Sequence, residues 1–289
     1  MEVTKMFELR VENIMGDILT LTQNESAYQV INVEGLNPPN AMINSSPVVG
    51  RDGSKYQSSK LEDRNLVITV KLNGDVEKNR LNLYRYFKSK RWHKIYYKNG
   101  SRDVYIEGYV ETIETNLFTN SQTMQISIVC HDPYFKSVDE IVTDISQVLA
   151  SFEFPFAIED PIPFSVLVKD RVININNEGE SDTGLMICVR ATGTVPDLRI
   201  HNDVTGEFFG FDQELIAGDQ VVINTNRGEK SIVLTRDGVD HNVISGVSRN
   251  STWLTLSMGD NQFTYGTSTG RGEEFLEINF RHRTIYEGV

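Results

Sequence analysis

Side chains that could take part in chemistry are scattered along this chain of 289 residues rather than grouped. A phosphate-binding loop is missing, because Gly228-Glu229-Lys230-Ser231 ends in Lys-Ser but lacks the upstream glycine. Glu273 and Glu274 are neighbours where a strand begins, so they would point to opposite faces and could not share one substrate. No two of the five histidines stand at i, i+4 or at a zinc-motif spacing: His93, His131, His201, His241 and His282. The spacing predicts no catalytic residue, no metal site and no cofactor, and therefore a protein that is not an enzyme.

The most distinctive charged segment runs from Lys78 to Arg102, with nine basic residues and no acidic one. Basic and acidic residues balance through Phe135, so the net charge of −12 belongs entirely to the remainder of the chain. Two interpretations are open: a solvated face, or a contact with an acidic patch on a neighbouring subunit, where complementary charge sets the register. For the second interpretation the candidate contact residues are Lys78, Arg85, Lys88 and Arg91. Nucleic-acid binding is not predicted, because the chain as a whole is acidic.

The elements that carry this segment follow from periodicity. Leu81, Tyr84 and Phe87 predict one apolar face of an amphipathic helix. Asn99-Gly100 between two apolar runs predicts a hairpin with a two-residue primed turn. Alternation from Met124 to Cys130 predicts a strand that Asp132-Pro133 ends, since proline cannot donate to a continuing ladder.

Upstream of the helix the alternation predicts further strands, at Phe7–Val11, Ile18–Leu21 and Leu66–Leu72. The polar stretch Asn44–Lys60 reads as a long loop or a hairpin, and a loop of that length within a compact domain is usually functional. We expect it to be a protruding arm that becomes ordered on contact with a partner.

Downstream, the pattern predicts a connector and then a second domain. Val138, Ile141 and Ile145 recur at helical spacing before Pro155, Pro161 and Pro163, which predicts a connector over residues 137–163 with some helix and a proline-rich hinge. Residues 164–289 contain eight short candidate strands, Trp253–Leu256 among them, separated by Gly, Asp and Asn turns. That pattern is typical of an antiparallel sandwich. The fold class is therefore mainly β (all-β or α+β), with an N-terminal domain over residues 1–136 that is β-sandwich-like and carries one helix and one hairpin.

Three further features limit the function. Aromatic residues of the second domain, Trp253 above all, either fill its core or form a sugar-stacking platform, and the second alternative implies a carbohydrate-binding module. Cys130 and Cys188 fall in different domains, so we expect two reduced, buried thiols. The start of the chain is too polar for a signal segment and no apolar run approaches about 18 residues, so the sequence predicts a soluble protein without membrane insertion.

The order of several short motifs resembles phage distal tail proteins, the siphovirus-type tail component family. In the first half the resemblance lies in Gly35-Leu36-Asn37-Pro38-Pro39, Asp52-Gly53, Arg64, the helix with Tyr84, Tyr86 and Phe87, Ile106-Glu107-Gly108, and Cys130 to Phe135. In the second half it lies in Asn176-Asn177-Glu178-Gly179, Gly218-Asp219, Trp253 and Gly259-Asp260-Asn261. The motifs span essentially the whole chain.

The resemblance implies a structural hub at the virion tail tip, made and assembled in the host cytoplasm. Such proteins form rings, typically of six, through their N-terminal domains, between the tail tube protein and the tail-associated fibre or lysin protein. Their C-terminal sandwiches are galectin-like and project outwards, where some relatives attach receptor-binding proteins. The family supplies no catalytic residues, and this chain lacks the insertion that adds a carbohydrate-binding module in some relatives.

Overall fold

The computed structural model describes residues 7–24, 26–144, 146–149, 166–169 and 172–289. They form two compact units: the first contains the described residues up to Asp139 together with Ile285–Val289, and the second is formed from Glu140–Thr284. The described strands are β1 (Glu8–Asn13), β2 (Ile18–Leu21), β3 (Tyr28–Glu34), β4 (Ala41–Pro47), β5 (Ser54–Leu61), β6 (Arg64–Leu72), β7 (Trp92–Lys98), β8 (Asp103–Thr115), β9 (Thr123–Cys130), β10 (Phe135–Ser137), β11 (Ile141–Asp144), β12 (Ser146–Leu149), β13 (Val166–Lys169), β14 (Val172–Asn177), β15 (Met186–Ala191), β16 (Leu198–Asn202), β17 (Glu207–Phe211), β18 (Gln220–Asn224), β19 (Ser231–Arg236), β20 (Val239–Asn242), β21 (Gly259–Gly266), β22 (Leu276–His282) and β23 (Ile285–Tyr286). One α-helix, α1 (Val76–Tyr86), and two 3₁₀ turns, Ile244–Gly246 and Glu273–Phe275, complete the described elements.

The first unit is built on an antiparallel sheet in the order β2-β1-β7-β8-β9-β6-β3, with β10 and β23 attached beside β8. Its alternating residues bury one face, as in β6, where Leu66, Ile68 and Val70 lie in the same core as Leu83 of α1. The remaining strands of this unit, β4 and β5, pair only with each other as a separate hairpin.

The second unit is a sandwich of two antiparallel sheets, β11-β22-β15-β18-β19-β20 and β14-β21-β16-β17. Side chains from both sheets, among them Ile175 and Phe263 from one and Ile187 and Ile278 from the other, belong to a single buried core. The mainly β fold class predicted from the sequence is therefore confirmed. None of the helices in the described part of the chain is long and apolar enough to cross a membrane.

The last residues of the chain complete the first unit, although the sequence pattern predicts them to be part of the second domain. Strand β23 pairs with β10, and the Val289 amide donates to the Leu36 carbonyl at 3.0 Å. Arg102 donates to the Gly288 carbonyl, and its guanidinium lies 4.2 Å from the centre of the Tyr286 ring. Five residues at the end of the sequence are too few to carry a periodic signal, so only the structure reveals this return.

Arg64 lies at the centre of that junction and is 2% exposed. Its guanidinium donates to four backbone carbonyls, those of Gly35, Asn37, Pro133 and Glu287, from three separate parts of the chain. It also stacks on the Phe135 ring at 4.6 Å. Its buried donors are satisfied by the oxygen dipoles of these carbonyls.

Several local predictions are wrong. Residues 141–144 and 146–149 of the predicted connector are strands paired with β22 and β13, not helix, and residues 150–165, which include the three prolines, lie outside the described residues. Trp253–Leu256 is not a strand, since only Leu256 makes an isolated bridge, to Thr183. On α1 the buried face is centred on Leu83, whereas Leu81 is exposed.

Candidate subunit interface

The four basic residues predicted to contact a neighbouring subunit lie on α1 and on the loop that follows it. Asp75 caps the helix, because its carboxylate accepts a hydrogen bond from the Lys78 amide at 3.2 Å. Lys78 and Arg85 lie on the exposed surface of α1, and Lys88 and Arg91 lie between its end and β7. All four residues are exposed, as an intermolecular contact requires.

A cavity of about 180 Å³ brings three of these four residues together; we call it the basic pocket. It is lined by Asn13, Ile14, Met15, Arg85, Tyr86, Lys88, Arg91, Trp92 and His93. Lys78 lies in the first turn of α1 and does not line it. The basic pocket therefore combines three cationic groups with an apolar wall, and none of its lining residues is acidic.

Tyr86 and His93 fix the shape of the basic pocket. The Tyr86 hydroxyl donates to the Val11 carbonyl and lies 2.7 Å from the Asp17 carbonyl, which ties the end of α1 to the β1–β2 turn. His93 is buried beside the Tyr86 and Phe87 rings, with centroid distances of 5.8 and 5.3 Å. Burial raises the pKa of Tyr86 to about 12 and lowers the pKa of His93. The positive charge of the pocket at neutral pH therefore comes from Arg85, Lys88 and Arg91.

The apolar wall comes from the β1–β2 turn, which joins two strands predicted from the sequence, and no pattern in the sequence connects this turn with the basic segment. Asn13 organises the turn, since its side-chain oxygen accepts from the Met15 amide at 2.9 Å and from the Asp17 amide at 3.1 Å. The turn presents Ile14 at 63% and Met15 at 86% exposure. The signal in the sequence for this wall was the pair of large apolar side chains directly before the turn glycine, Gly16.

The β4–β5 hairpin, Ala41–Leu61, is a second exposed feature, and we call it the arm. Almost every residue on both of its faces is exposed, including Ile43 at 67%, Tyr56 at 60% and Val49 at the tip. Its strands are held by backbone pairing and by polar contacts such as Asn44 to Ser58 at 3.0 Å. An isolated two-stranded hairpin is marginally stable in water, and the arm's two strands pair with no other described strand. Of the two alternatives for Asn44–Lys60, the structure shows the hairpin.

Trp253, the candidate for sugar stacking, lies at the edge of the second unit's core. Its ring is half-buried, lies 5.9 Å from the Phe209 ring and has the Lys230 ammonium 5.5 Å from its centre. These neighbours account for much of the ring surface by packing. Carbohydrate binding at Trp253 stays a prediction.

Neither thiol of the described residues is activated for covalent chemistry. Burial raises the pKa of the Cys130 thiol to about 12 and raises that of Cys188 as well, which disfavours the reactive thiolate. Both cysteines are free, and Cys130 is buried whereas Cys188 is half-buried. Among the described residues no cluster of three or more His, Cys, Asp or Glu could hold a metal ion.

Comparison with protein families gives two matches in consecutive order. Residues 20–130 match the phage tail protein RIFT-related domain, and residues 178–283 match the C-terminal domain of the siphovirus-type tail component. The first match contains the arm, α1 and most of the basic pocket, and the second lies within the sandwich. No curated protein matches the sequence.

Solved structures share the fold over nearly the whole chain. The crystal structure of the Dit protein of phage SPP1, described as a paradigm of the hub adsorption apparatus in phages that infect Gram-positive bacteria, matches with a TM-score of 0.68 at 13% identity, covering 96% of this chain and 98% of that one. The baseplate of phage p2 in its activated conformation matches with TM-scores of 0.54 with calcium and 0.51 with strontium, at 11% and 12% identity. Each of these covers 98% of this chain and 99% of the other. Identities this low establish a shared fold and no more.

Proposed function

This chain belongs to the siphovirus-type tail component family of phage distal tail proteins, and from that premise we propose that its subunits close into a ring of six at the tail tip. It is a structural protein of the phage tail tip, also called the baseplate hub. The observation that carries the proposal is the consecutive match of both units to tail component domains, together with a fold shared over 96% of the chain.

The ring needs a head-to-tail contact, in which two different surfaces of one subunit meet those of the next. The arm and the basic pocket are each suited to take part in such a contact, with separate surfaces of the neighbouring subunit, because each exposes apolar side chains beside polar or charged ones. An obligate interface of this kind buries on the order of 2,000 Å² or more. A hairpin with two open faces supplies a large share of such an area once a neighbour covers it.

The ring would join the tail tube protein on one side to the tail-associated fibre or lysin protein on the other. The sandwich of the second unit, which carries the excess negative charge, would hold receptor-binding proteins where the phage has them. Assembly would take place in the host cytoplasm before the tail is complete. Function then depends on shape and self-association, without a catalytic step.

The test is the mass of the purified full chain in solution, measured by mass photometry and by sedimentation over a range of concentrations. We expect a closed assembly near six times 32.8 kDa, and ring-shaped particles by negative-stain electron microscopy. A monomer at all concentrations, including millimolar, would contradict the proposal.

The contribution of the basic segment is tested by charge reversal. Arg85→Glu combined with Lys88→Glu is expected to weaken ring formation by at least about tenfold, because each reversal replaces attraction by repulsion at the interface. Arg227→Glu with Arg249→Glu is the matched control, since it makes the same charge change at exposed positions of the second unit. Equal assembly of the two variants would show that the basic segment is not part of the interface, without contradicting the ring.

A further inference from the structure

The turn between β8 and β9 carries an exposed aromatic residue. Phe118 is 98% exposed and its neighbour Leu117 is 41% exposed, between the end of β8 at Thr115 and the start of β9 at Thr123. We call residues 116–122 the tip. A fully exposed phenyl ring at the end of a hairpin has no role in the core of its own subunit, and aromatic anchors of this kind are typical of interfaces.

The basic pocket has the size and the walls to receive such a ring. Its volume is about 180 Å³, and a cavity of roughly 150 Å³ with apolar walls accepts a benzene molecule. Ile14, Met15 and Trp92 supply apolar surface around it. Half-buried Tyr86 and buried His93 give it a floor fixed by hydrogen bonds, so the pocket exists before a partner arrives.

The charges of the tip and the pocket are complementary. From Glu111 to Thr123 the chain carries two acidic residues, Glu111 and Glu114, and no basic one, and both are exposed on β8. Arg85, Lys88 and Arg91 line the pocket without any acidic neighbour in its wall. An acidic strand that ends in an apolar tip therefore fits an apolar pocket with a basic rim.

The tip of a subunit cannot fill the basic pocket of the same subunit, because the two lie at different places. The tip lies beside the start of α1, where Thr119 and Asn120 share a surface depression with Val76, whereas the pocket lies at the other end of α1. In the sheet, β1 at the pocket is separated by β7 from β8 and by β7 and β8 from β9. Two complementary surfaces at different places on one subunit generate a ring or a chain of subunits.

We propose that the Phe118 tip of one subunit inserts into the basic pocket of a second copy and forms a recurring anchor of the ring. This inference rests on the proposed ring and adds to it the two surfaces that meet. Glu111 and Glu114 then face Arg85, Lys88 and Arg91 of the next copy, around a buried phenyl ring.

The test compares the concentration dependence of assembly for wild type, Phe118→Ala and a control, by mass photometry and sedimentation. Loss of the Phe118 phenyl group should raise the dissociation constant of each subunit contact by about 10–100-fold, which corresponds to the free energy gained by burying one phenylalanine side chain. Val204→Ala is the control, because Val204 is likewise exposed, at 61%, but lies in the second unit. The exposure of Phe118 means that the monomer keeps its fold, which circular dichroism and the melting temperature verify.

Mixing two defective variants identifies the pair of surfaces. Met15→Asp introduces an acidic group into the pocket wall opposite the acidic tip, so this variant keeps its tip but loses its pocket. Alone, it should show weakened assembly, as Phe118→Ala does. The two together should form dimers of one copy each and nothing larger, since one intact tip and one intact pocket remain.

The outcomes separate this inference from the proposed function. If wild type forms rings and Phe118→Ala assembles equally tightly, the insertion of Phe118 into the basic pocket is refuted, whereas the proposed ring is not. Rings or longer chains in the mixture would also overturn the pairing of tip and pocket. If wild type itself stays monomeric, both the ring and its anchor fail.

Discussion

Replacing Arg64 by methionine is the most informative single change in the first unit. Methionine retains the length and apolar stem of the side chain but removes every hydrogen-bond donor from a site that is 2% exposed. Four backbone carbonyls from three segments then lose their shared partner, and the Phe135 ring loses the cation above it.

The expected cost follows from those groups. A buried polar group left without a partner costs about 1–3 kcal/mol, and water can reach the carbonyls nearer the surface, so the four do not each count in full. We expect the free energy of unfolding of the first unit to fall by on the order of 4 kcal/mol, in the range for breaking a buried charged network. For a unit of this size the melting temperature should fall by roughly 10–15 °C.

Differential scanning calorimetry of the full chain measures this, because the two units have separate cores and the second serves as an internal reference. Arg64→Lys should lie between wild type and Arg64→Met, since a lysine retains the charge but cannot reach the four carbonyls as a planar fork. Arg102→Met is the matched control, because Arg102 donates to the same terminal segment, at Gly288, and its half-buried site predicts a loss of only about 1 kcal/mol. A shift for Arg64→Met no larger than that for Arg102→Met would refute the central role given to Arg64.

Three further expectations concern other parts of the molecule. Replacing the arm, Ala41–Leu61, by a short glycine-serine linker should leave the melting temperature of both units unchanged but abolish the ring in mass photometry; a normal ring would show that the arm is not part of the contact. Gly35→Ala should destabilise the first unit by roughly 2–3 kcal/mol in urea unfolding, because Gly35 has φ +87° and a Cβ there would overlap the Asn65 carbonyl oxygen, whereas Gly16→Ala, in open space, should cost only about 1 kcal/mol. Burial lowers the pKa of His282 below its ordinary 6.5, with Glu140 partly opposing this, and neither ring nitrogen has a hydrogen-bond partner within the described residues. The unfolded chain therefore takes up the proton more readily, so the contribution of His282 to the free energy of unfolding is full above pH 6.5 and is lost as the pH falls below it. His282→Leu should reduce the change in the urea midpoint between pH 7.5 and pH 5. An unchanged pH dependence of the midpoint would assign it to other groups.

Local alternation predicted the strands of the first unit well, because a half-buried strand shows its period in a few residues. Leu66 to Leu72 and Met124 to Cys130 are both found in the central part of the sheet. Asn99-Gly100 correctly predicted a hairpin but not its turn: the Asn99 side chain accepts from the Ser101 and Arg102 amides, and Gly100 does not adopt positive φ. The turn is therefore held by an asparagine side chain rather than by the glycine.

The candidate interface was only partly accessible from the sequence. A run of basic residues without acidic ones is visible in one dimension, and it led to Arg85, Lys88 and Arg91. The wall of the pocket comes from the β1–β2 turn, some 70 residues earlier, and hydrogen bonds of Tyr86 hold the two together. Helical spacing failed over residues 141–149 because four-residue strands are too short to reveal their period, and their pairing with β22 and β13 overrides local preference.

The return of Ile285–Val289 to the first unit sets an order of events during synthesis. A ribosome adding about 5–20 residues per second spends on the order of ten seconds on residues 140–284. Throughout that interval Arg64 lacks its Glu287 carbonyl and β10 lacks its partner β23, so the nascent first unit is unfinished. The first unit therefore gains its full set of contacts only after all of residues 140–284 have been synthesised.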